Sequence, residues 1–265
     1  MKSVFRDDCL AGRVAFITGG GSGICKGIAR AFLAHGAKVA IAGRKQERLD
    51  ATAKELADET SGECLPVAAD VREPKAIEAA LDACIERFGK LDLVVNGAAG
   101  NFLAPAAQLS YNGFRTVLEI DSMGTYNVCR ASFDKALQAG GGVIINISAT
   151  LHHGATPLQT HASAAKAAVD SITRSLAAEW GGLGIRVVGI APGPIGDTEG
   201  VSRLVPAGVR EKMEKGIPLG RFGTIDEIAN VAVFLASDAG SLVTGETVIA
   251  DGGQCLLGSG SMGLM

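Results

Sequence analysis

Short apolar runs rich in Val, Ile and Ala alternate with longer amphipathic segments along nearly the whole chain. R-V-A-F-I-T (13–18) is the first run, and its continuous apolar character predicts a strand buried on both faces. G-I-A-R-A-F-L-A-H-G (27–36) then repeats its apolar positions at helical spacing. The alternation continues through strand K-V-A-I-A-G (38–43), a charged helix from Lys45 to Glu59, strand L-P-V-A-A-D (65–70), a helix from Pro74 to Phe88 and strand L-D-L-V-V-N (91–96). A turn at Ser110 to Asn112 leads into a long helix over Gly113 to Gln138, and G-V-I-I-N-I-S-A (142–149) is the fifth strand. A helix beginning near Leu158 ends near Trp180. I-R-V-V-G-I-A (185–191) and E-T-V-I-A-D (246–251) are the last two strands, with no element assigned between them. Strands of this kind separated by helices predict one doubly wound α/β domain over residues 1–265: a seven-stranded parallel sheet with helices on both faces. No linker, repeat or low-complexity tract interrupts it, and residues 256–265, ending G-S-G-S-M-G-L-M, read as a loose tail.

Composition narrows the class. The 265 residues are 47% hydrophobic, enough for one large core. A net charge of −3 with no basic block argues against a nucleic-acid surface. No apolar run reaches the length of a membrane span, and M-K-S-V-F-R-D-D-C-L is too short and too acidic for a signal peptide. Six cysteines (Cys9, Cys25, Cys64, Cys84, Cys129, Cys255) lack C-x-x-C spacing and read as reduced thiols. No Cys/His group has metal-ligand spacing, so no zinc site is expected.

The candidate chemistry begins where the first strand runs into T-G-G-G-S-G-I-C (18–25). Glycines between a strand and a helix let the backbone approach a pyrophosphate, which then sits on the helix N-terminus. This makes the domain a Rossmann-type dinucleotide binder, with Cys25 where a further glycine is usual. The second strand ends in A-G-R-K rather than in a carboxylate, so Arg44 suits the 2′-phosphate of NADP. Asp70 ends the third strand and suits the adenine amino group; N-G-A-A-G (96–100) keeps the fourth strand's end small. P-G-P-I-G-D-T (192–198) is placed to wrap the nicotinamide amide. In L-Q-T-H-A-S-A-A-K-A-A-V-D (158–170), Lys166 and Asp170 are four apart and can share one helical face.

In this order and spacing, the motifs resemble the short-chain dehydrogenase/reductase family over essentially the whole chain. That family pairs a tyrosine with a lysine four residues on, plus an upstream serine and asparagine. Here the matching positions hold Ala162, Lys166, Ala149 and Asp121, so only the lysine is kept. Tyr111 and Tyr126 do not precede a lysine by that spacing. Ordinary carbonyl reduction, which needs a hydroxyl donor, is not expected.

One branch departs in the same way. H-A-x-x-A-K-A-A-V-D, A-A-G-N-F-L-x-P-A, A-P-G-P-I-x-x-T-E-G and A-D-G-G are similar to the peroxisomal-type 2,4-dienoyl-CoA reductases. The resemblance implies NADPH-dependent reduction of 2,4-dienoyl-CoA to 3-enoyl-CoA in the breakdown of unsaturated fatty acids. It implies hydride addition at C5, an enolate at the thioester and a proton delivered to C2. Lys166, Asp121, Asp170 and Asp251 are the implied catalytic residues, acting through water, with clustered carboxylates sharing a proton. Gly19, Gly21, Ser22, Gly23, Ile24, Arg44, Asp70, Val71, Ala98, Lys166, Pro192, Gly193, Ile195 and Thr198 are the implied contacts to NADP(H). Arg44, Arg72, Phe102, Ser110, Tyr111, Asn112 and Arg203 are the implied contacts to the acyl-CoA. His161 reads as a wall residue; His152 and His153 lie in the loop after the fifth strand, from which one of them could reach the substrate. The resemblance also implies a homo-oligomer, tetramer or dimer, built on the Gly113–Gln138 and Leu158–Trp180 helices. It implies a peroxisomal or cytoplasmic home, the chain ending in G-L-M rather than an S-K-L-type address. Two further readings stand beside this one: a reductase of another conjugated thioester in a secondary-metabolite pathway, and a non-catalytic NADPH-binding scaffold.

Overall fold

The computed structural model describes residues 5–198 and 208–257. Its strands are β1 (Val14–Thr18), β2 (Lys38–Gly43), β3 (Cys64–Ala68), β4 (Leu93–Asn96), β5 (Gly142–Ile147), β6 (Ile185–Pro192) and β7 (Thr247–Ala250). They form one seven-stranded sheet in the order β3-β2-β1-β4-β5-β6-β7, and every pairing is parallel. The order reverses between β1 and β4, which opens a crevice beyond their carboxyl ends. Helices α1 (Gly23–Ala34), α2 (Gln46–Thr60) and α3 (Pro74–Phe88) make the first crossovers.

The continuous apolar strands are buried on both faces because side chains alternate across the pleat. In β1, Ala15 and Ile17 enter a core with Ile28, Phe32 and Val233, whereas Val14 and Phe16 enter a second core with Ile77, Leu81 and Trp180. The sheet is thus the partition between two hydrophobic layers.

Two departures from the sequence pattern matter for the site. The helix expected over Gly113 to Gln138 begins earlier, with Ser110 as its N-cap, and is not uniform. It consists of α4 (Tyr111–Leu118), a π turn Glu119–Met123, α5 (Gly124–Ser132), a second π turn Phe133–Leu137 and the short α6 (Gln138–Gly140). Helix α7 (Thr160–Trp180) follows β5 as expected. Between β6 and β7, where no element was assigned, lie α8 (Arg210–Lys215) and the well-packed α9 (Ile225–Ala236). The signal for α9 was present as T-I-D-E: Thr224 and Glu227 form a reciprocal capping box, with Arg221 holding the Glu227 carboxylate at 2.6 Å. Helix α9 packs so closely on α1 that a Cβ at Gly27 would lie 2.0 Å from Ile225 Cγ2. A last turn, α10 (Gln254–Leu257), follows β7. Of the expected loose tail, residues 258–265 lie outside the described residues. Among the described residues no helix is long and apolar enough to cross a membrane.

Candidate active site

The crevice at the β1/β4 switch is a groove of about 720 Å³, within the size range of small-molecule sites. Its floor is the strand–helix turn. Gly19 takes φ +71°, and a Cβ there would lie 2.8 Å from the Gly97 carbonyl oxygen, so the two chain segments meet backbone to backbone. Thr18 Oγ1 ties them further, accepting from Gly97 N at 3.1 Å and from Ala98 N at 3.3 Å. Cys25 fills the space a further glycine would leave: a Cβ at Gly97 would lie 2.0 Å from its sulfur. Burial pushes the Cys25 thiol up to about 12, so it acts as packing rather than as a nucleophile. Gly21, Ser22, Gly23 and Ile24 line the groove beside the N-terminus of α1. All six cysteines are free.

At the far end of the groove, Arg44 is joined by Lys45 and Arg48, neither singled out from sequence. Arg48 Nε donates to the Gly21 carbonyl at 3.1 Å, so the cation cluster is fastened to the glycine turn. Asp70 and Val71 form the wall after β3. Arg72, expected on the substrate side, forks onto Asp70 (2.6 Å between Arg72 Nη2 and Asp70 Oδ2) and holds that carboxyl below the usual range. Ala98 and Thr198 also line the groove. Pro192, Gly193 and Ile195 lie at the end of β6, where Gly193 approaches Asp251 closely enough that a Cβ would lie 2.7 Å from its Cα.

Lys166 lines the opposite end of the groove. Its ammonium donates to the Ile147 carbonyl at 3.0 Å and pairs with Asp121 Oδ2 at 3.0 Å. Both side chains are almost wholly buried, at 10% and 1% exposure. Asp121 sits in the first π turn, and its second oxygen accepts from Gly100 N at 2.7 Å. One carboxylate therefore fixes both the lysine and the loop after β4. The equivalent of the missing tyrosine, Ala162, is buried with Val117 and Ala165 in a small apolar cluster. Ser148 was not singled out from sequence; its buried hydroxyl lines the groove without a protein partner.

Lys166 and Asp170, four apart on α7, share no partner and do not pair with each other. Asp170 Oδ2 instead meets His152 Nε2 at 2.7 Å, and its Oδ1 accepts from Thr247 Oγ1 at 3.2 Å. Asp251 binds two amides, Gly253 N at 2.8 Å and Cys255 N at 2.7 Å, capping the turn of α10. Each of the three carboxylates thus has its own set of donors. His153 lies beside His152, and ligand atoms of His152, His153 and Asp170 all fall within 4.8 Å of one another. Spacing along the chain could not show this group, because Asp170 is 18 residues beyond His152 and on a different element.

On the substrate side, Phe102 stacks on His161 with ring centroids 4.2 Å apart, and His161 is fully buried, consistent with a wall. Ser110 accepts from Gly113 N as the α4 cap, and Tyr111 in the first turn is 95% exposed. These two and Asn112 form a helix start rather than a turn on the groove wall. Arg203 lies outside the described residues.

A family model described as enoyl-(acyl carrier protein) reductase matches residues 19–254. The chain is 48% identical over 254 residues to the peroxisomal 2,4-dienoyl-CoA reductase [(3E)-enoyl-CoA-producing] of Danio rerio, covering 96% of this chain and 85% of that one. It is 48% identical over 265 residues to the protein of the same name from Arabidopsis thaliana, covering 97% and 89%. Among solved structures, a gluconate 5-dehydrogenase from Burkholderia cenocepacia J2315 in complex with NADP and tartrate superposes with a TM-score of 0.88 at 34% identity, covering 94% of this chain and 97% of that one. The matched family model, the shared strand order and the near full-length relatives agree: this chain is a member of the short-chain dehydrogenase/reductase family, related to the peroxisomal 2,4-dienoyl-CoA reductases.

Proposed function

We propose that the chain reduces 2,4-dienoyl-CoA thioesters to 3-enoyl-CoA with NADPH, in the breakdown of unsaturated fatty acids. The observation that carries this reading is the buried Lys166–Asp121 pair at the end of the groove, beside an alanine where the family's tyrosine stands. A site that had merely decayed into a scaffold would have no reason to keep a lysine clamped by a buried carboxylate. The relatives at 48% identity carry this activity in their names.

The groove fits the cofactor. Its backbone-to-backbone floor at Gly19 leaves the pyrophosphate side open, and Arg44, Lys45 and Arg48 gather positive charge at the adenosine end, as a 2′-phosphate requires. When bound, NADPH supplies the hydride. The chain's own residues do the rest. Lys166 holds the ribose and places a fixed positive charge where negative charge develops on the thioester oxygen. Asp121 keeps that ammonium in place and joins it to the Gly100 loop. Asp170, with a hydrogen between it and His152, stands as the group that passes a proton to C2 through water. Asp251 acts at one remove, by fixing the turn against Gly193. Exposed Met123 and Tyr126, on the helix expected to pair subunits, support a homo-oligomer, and the relatives' names support a peroxisomal home.

The test is to mix the protein with NADPH and 2,4-hexadienoyl-CoA and follow the cofactor absorbance. Consumption with solvent deuterium at C2 of a 3-enoyl product is expected. Consumption only with simple enoyl or ketoacyl thioesters, or none with any thioester, would overturn the reading.

A further inference from the structure

The geometry points to a binding site for a zinc-class divalent cation between the loop after β5 and helix α7, formed by His152, His153 and Asp170. One ligand atom from each of these residues already lies within 4.8 Å of the others. Two imidazoles and a carboxylate form a borderline-soft donor set that suits Zn²⁺, Co²⁺ or Ni²⁺ rather than Mg²⁺ or Ca²⁺.

The site is built rather than chance exposure. Asp170 is 4% exposed at its side chain and His152 18%, so two of the three ligands are held by their surroundings. Asp170 is oriented from behind by Thr247 on β7, the outer-shell hydrogen bond that ligating carboxylates require. His152 and His153 are brought together by the turn Thr150–His152, which sets their rings 4.6 Å apart between centroids at a 36° tilt. The remaining ring nitrogen of His152 is buried without a protein partner, so the present hydrogen bond leaves the residue's capacity unfilled. On binding, the imidazole proton of His152 sits on Nδ1, leaving Nε2 free to ligate the cation beside Asp170 Oδ2, and His153 swings in from the exposed side as third ligand. A fourth position stays open to water, as in three-ligand zinc sites.

Binding would clip the β5 loop onto α7 and, through Thr247, onto β7. The functional consequence rests on the reading above: occupancy takes Asp170 away from proton handling, so the metal acts as a reversible inhibitor of reduction. Binding itself does not depend on that reading and is measured without substrate.

The experiment is a Co²⁺ titration of the full chain, followed by its visible ligand-field absorption, and a thermal melt with and without Zn²⁺. One equivalent is expected to bind, with Tm raised by several degrees at saturation. His153→Ala, which removes an exposed side chain, should weaken binding by about tenfold or more, and His152→Gln should abolish the spectrum while leaving the metal-free Tm within a few degrees of wild type. A chain in which Cys9 and Cys255 are replaced by Ser should bind as wild type. Equal binding by wild type, His153→Ala and His152→Gln, or no cobalt spectrum at all, would overturn the proposal. Binding without inhibition of thioester reduction would leave the site standing and count instead against Asp170 as a proton-handling residue.

Discussion

Asp121→Asn tests the core of the site with almost no change of shape. In the native chain the carboxylate accepts from Gly100 N at 2.7 Å and pairs with Lys166 at 3.0 Å, with the two side chains 1% and 10% exposed. The amide can still accept from Gly100, but its NH₂ group then faces the ammonium. Lys166 keeps only the Ile147 carbonyl. Leaving a buried charge without its counter-ion costs about 3–5 kcal/mol, and we expect roughly 3 kcal/mol because Lys166 retains that carbonyl and a thin edge of solvent. At ~2–4 °C per kcal/mol for a chain of this size, Tm should fall by roughly 6–12 °C. Turnover of 2,4-hexadienoyl-CoA should fall ~10²–10³-fold, as when a preorganised charge contact at the developing negative charge is lost. NADPH affinity, measured by fluorescence titration of the folded variant, should change much less. The double variant Lys166→Met with Asp121→Asn should be more stable than the sum of the single effects, since it leaves no bare charge. A variant with wild-type Tm and full turnover would show that the pair neither holds the site together nor serves the reaction.

Arg44→Asp should cut the preference for NADPH over NADH by roughly 10–100-fold, the worth of a charge-assisted contact; a wild-type preference for NADH would contradict the reading of the cation cluster. Gly97→Ala puts a methyl carbon 2.0 Å from the Cys25 sulfur and should destabilise by about 1–3 kcal/mol, with Cys25→Ala in the same chain recovering much of it; a neutral Gly97→Ala in chemical denaturation would show that the groove floor is not close-packed there. The Arg221 hydrogen bond, then the Thr224 contacts, hold the Glu227 carboxyl down to about 2. A depressed carboxyl contributes stability that is present above its unfolded value near 4.5 and lost as pH falls through about 2. Because Glu227 is 35% exposed, solvent screening limits this to about 1 kcal/mol, and the stability difference between wild type and Glu227→Gln should close across that window in acid titrations.

Much of this fold was legible because its strands are buried on both faces. In R-V-A-F-I-T the positions from Val14 to Ile17 are all apolar, so it reads directly as a strand buried on both faces. The cofactor groove was legible for the same reason in reverse: glycines and small residues sit where two backbones touch, and Arg44, read from the sequence as the 2′-phosphate contact, lines the groove. Helix α9 was missed although T-I-D-E announced it, because its apolar residues run nearly continuously and lack a clear polar stripe. Arg48 was passed over as one charge on a charged helix, and only the fold of α2 against the glycine turn gives it a task.

The pairing at the lysine was illegible for a more specific reason. Residues four apart on a helix share a face, which makes Lys166 and Asp170 look like partners. Helical side chains lean toward the N-terminus, however, and a lysine is long. Its ammonium therefore lands beyond the preceding turn, near the end of β5, where it meets the Ile147 carbonyl. An acid four residues after a lysine is also the weaker orientation of such a pair. The carboxylate that does reach Lys166 comes from a π turn, whose extra residue per turn rotates Asp121 toward Gly100 and the groove. Side-chain spacing carries no trace of that i to i+5 bonding, since the residues of E-I-D-S-M suit an ordinary helix. Asp170, released from the lysine, is left to the β5 loop and to β7. The two aspartates therefore belong to different circuits, one fixing a charge beside the cofactor groove and one tied to histidines. Substitution of Asp121 should change how Lys166 is held, and substitution of Asp170 should leave the Lys166 pairing untouched.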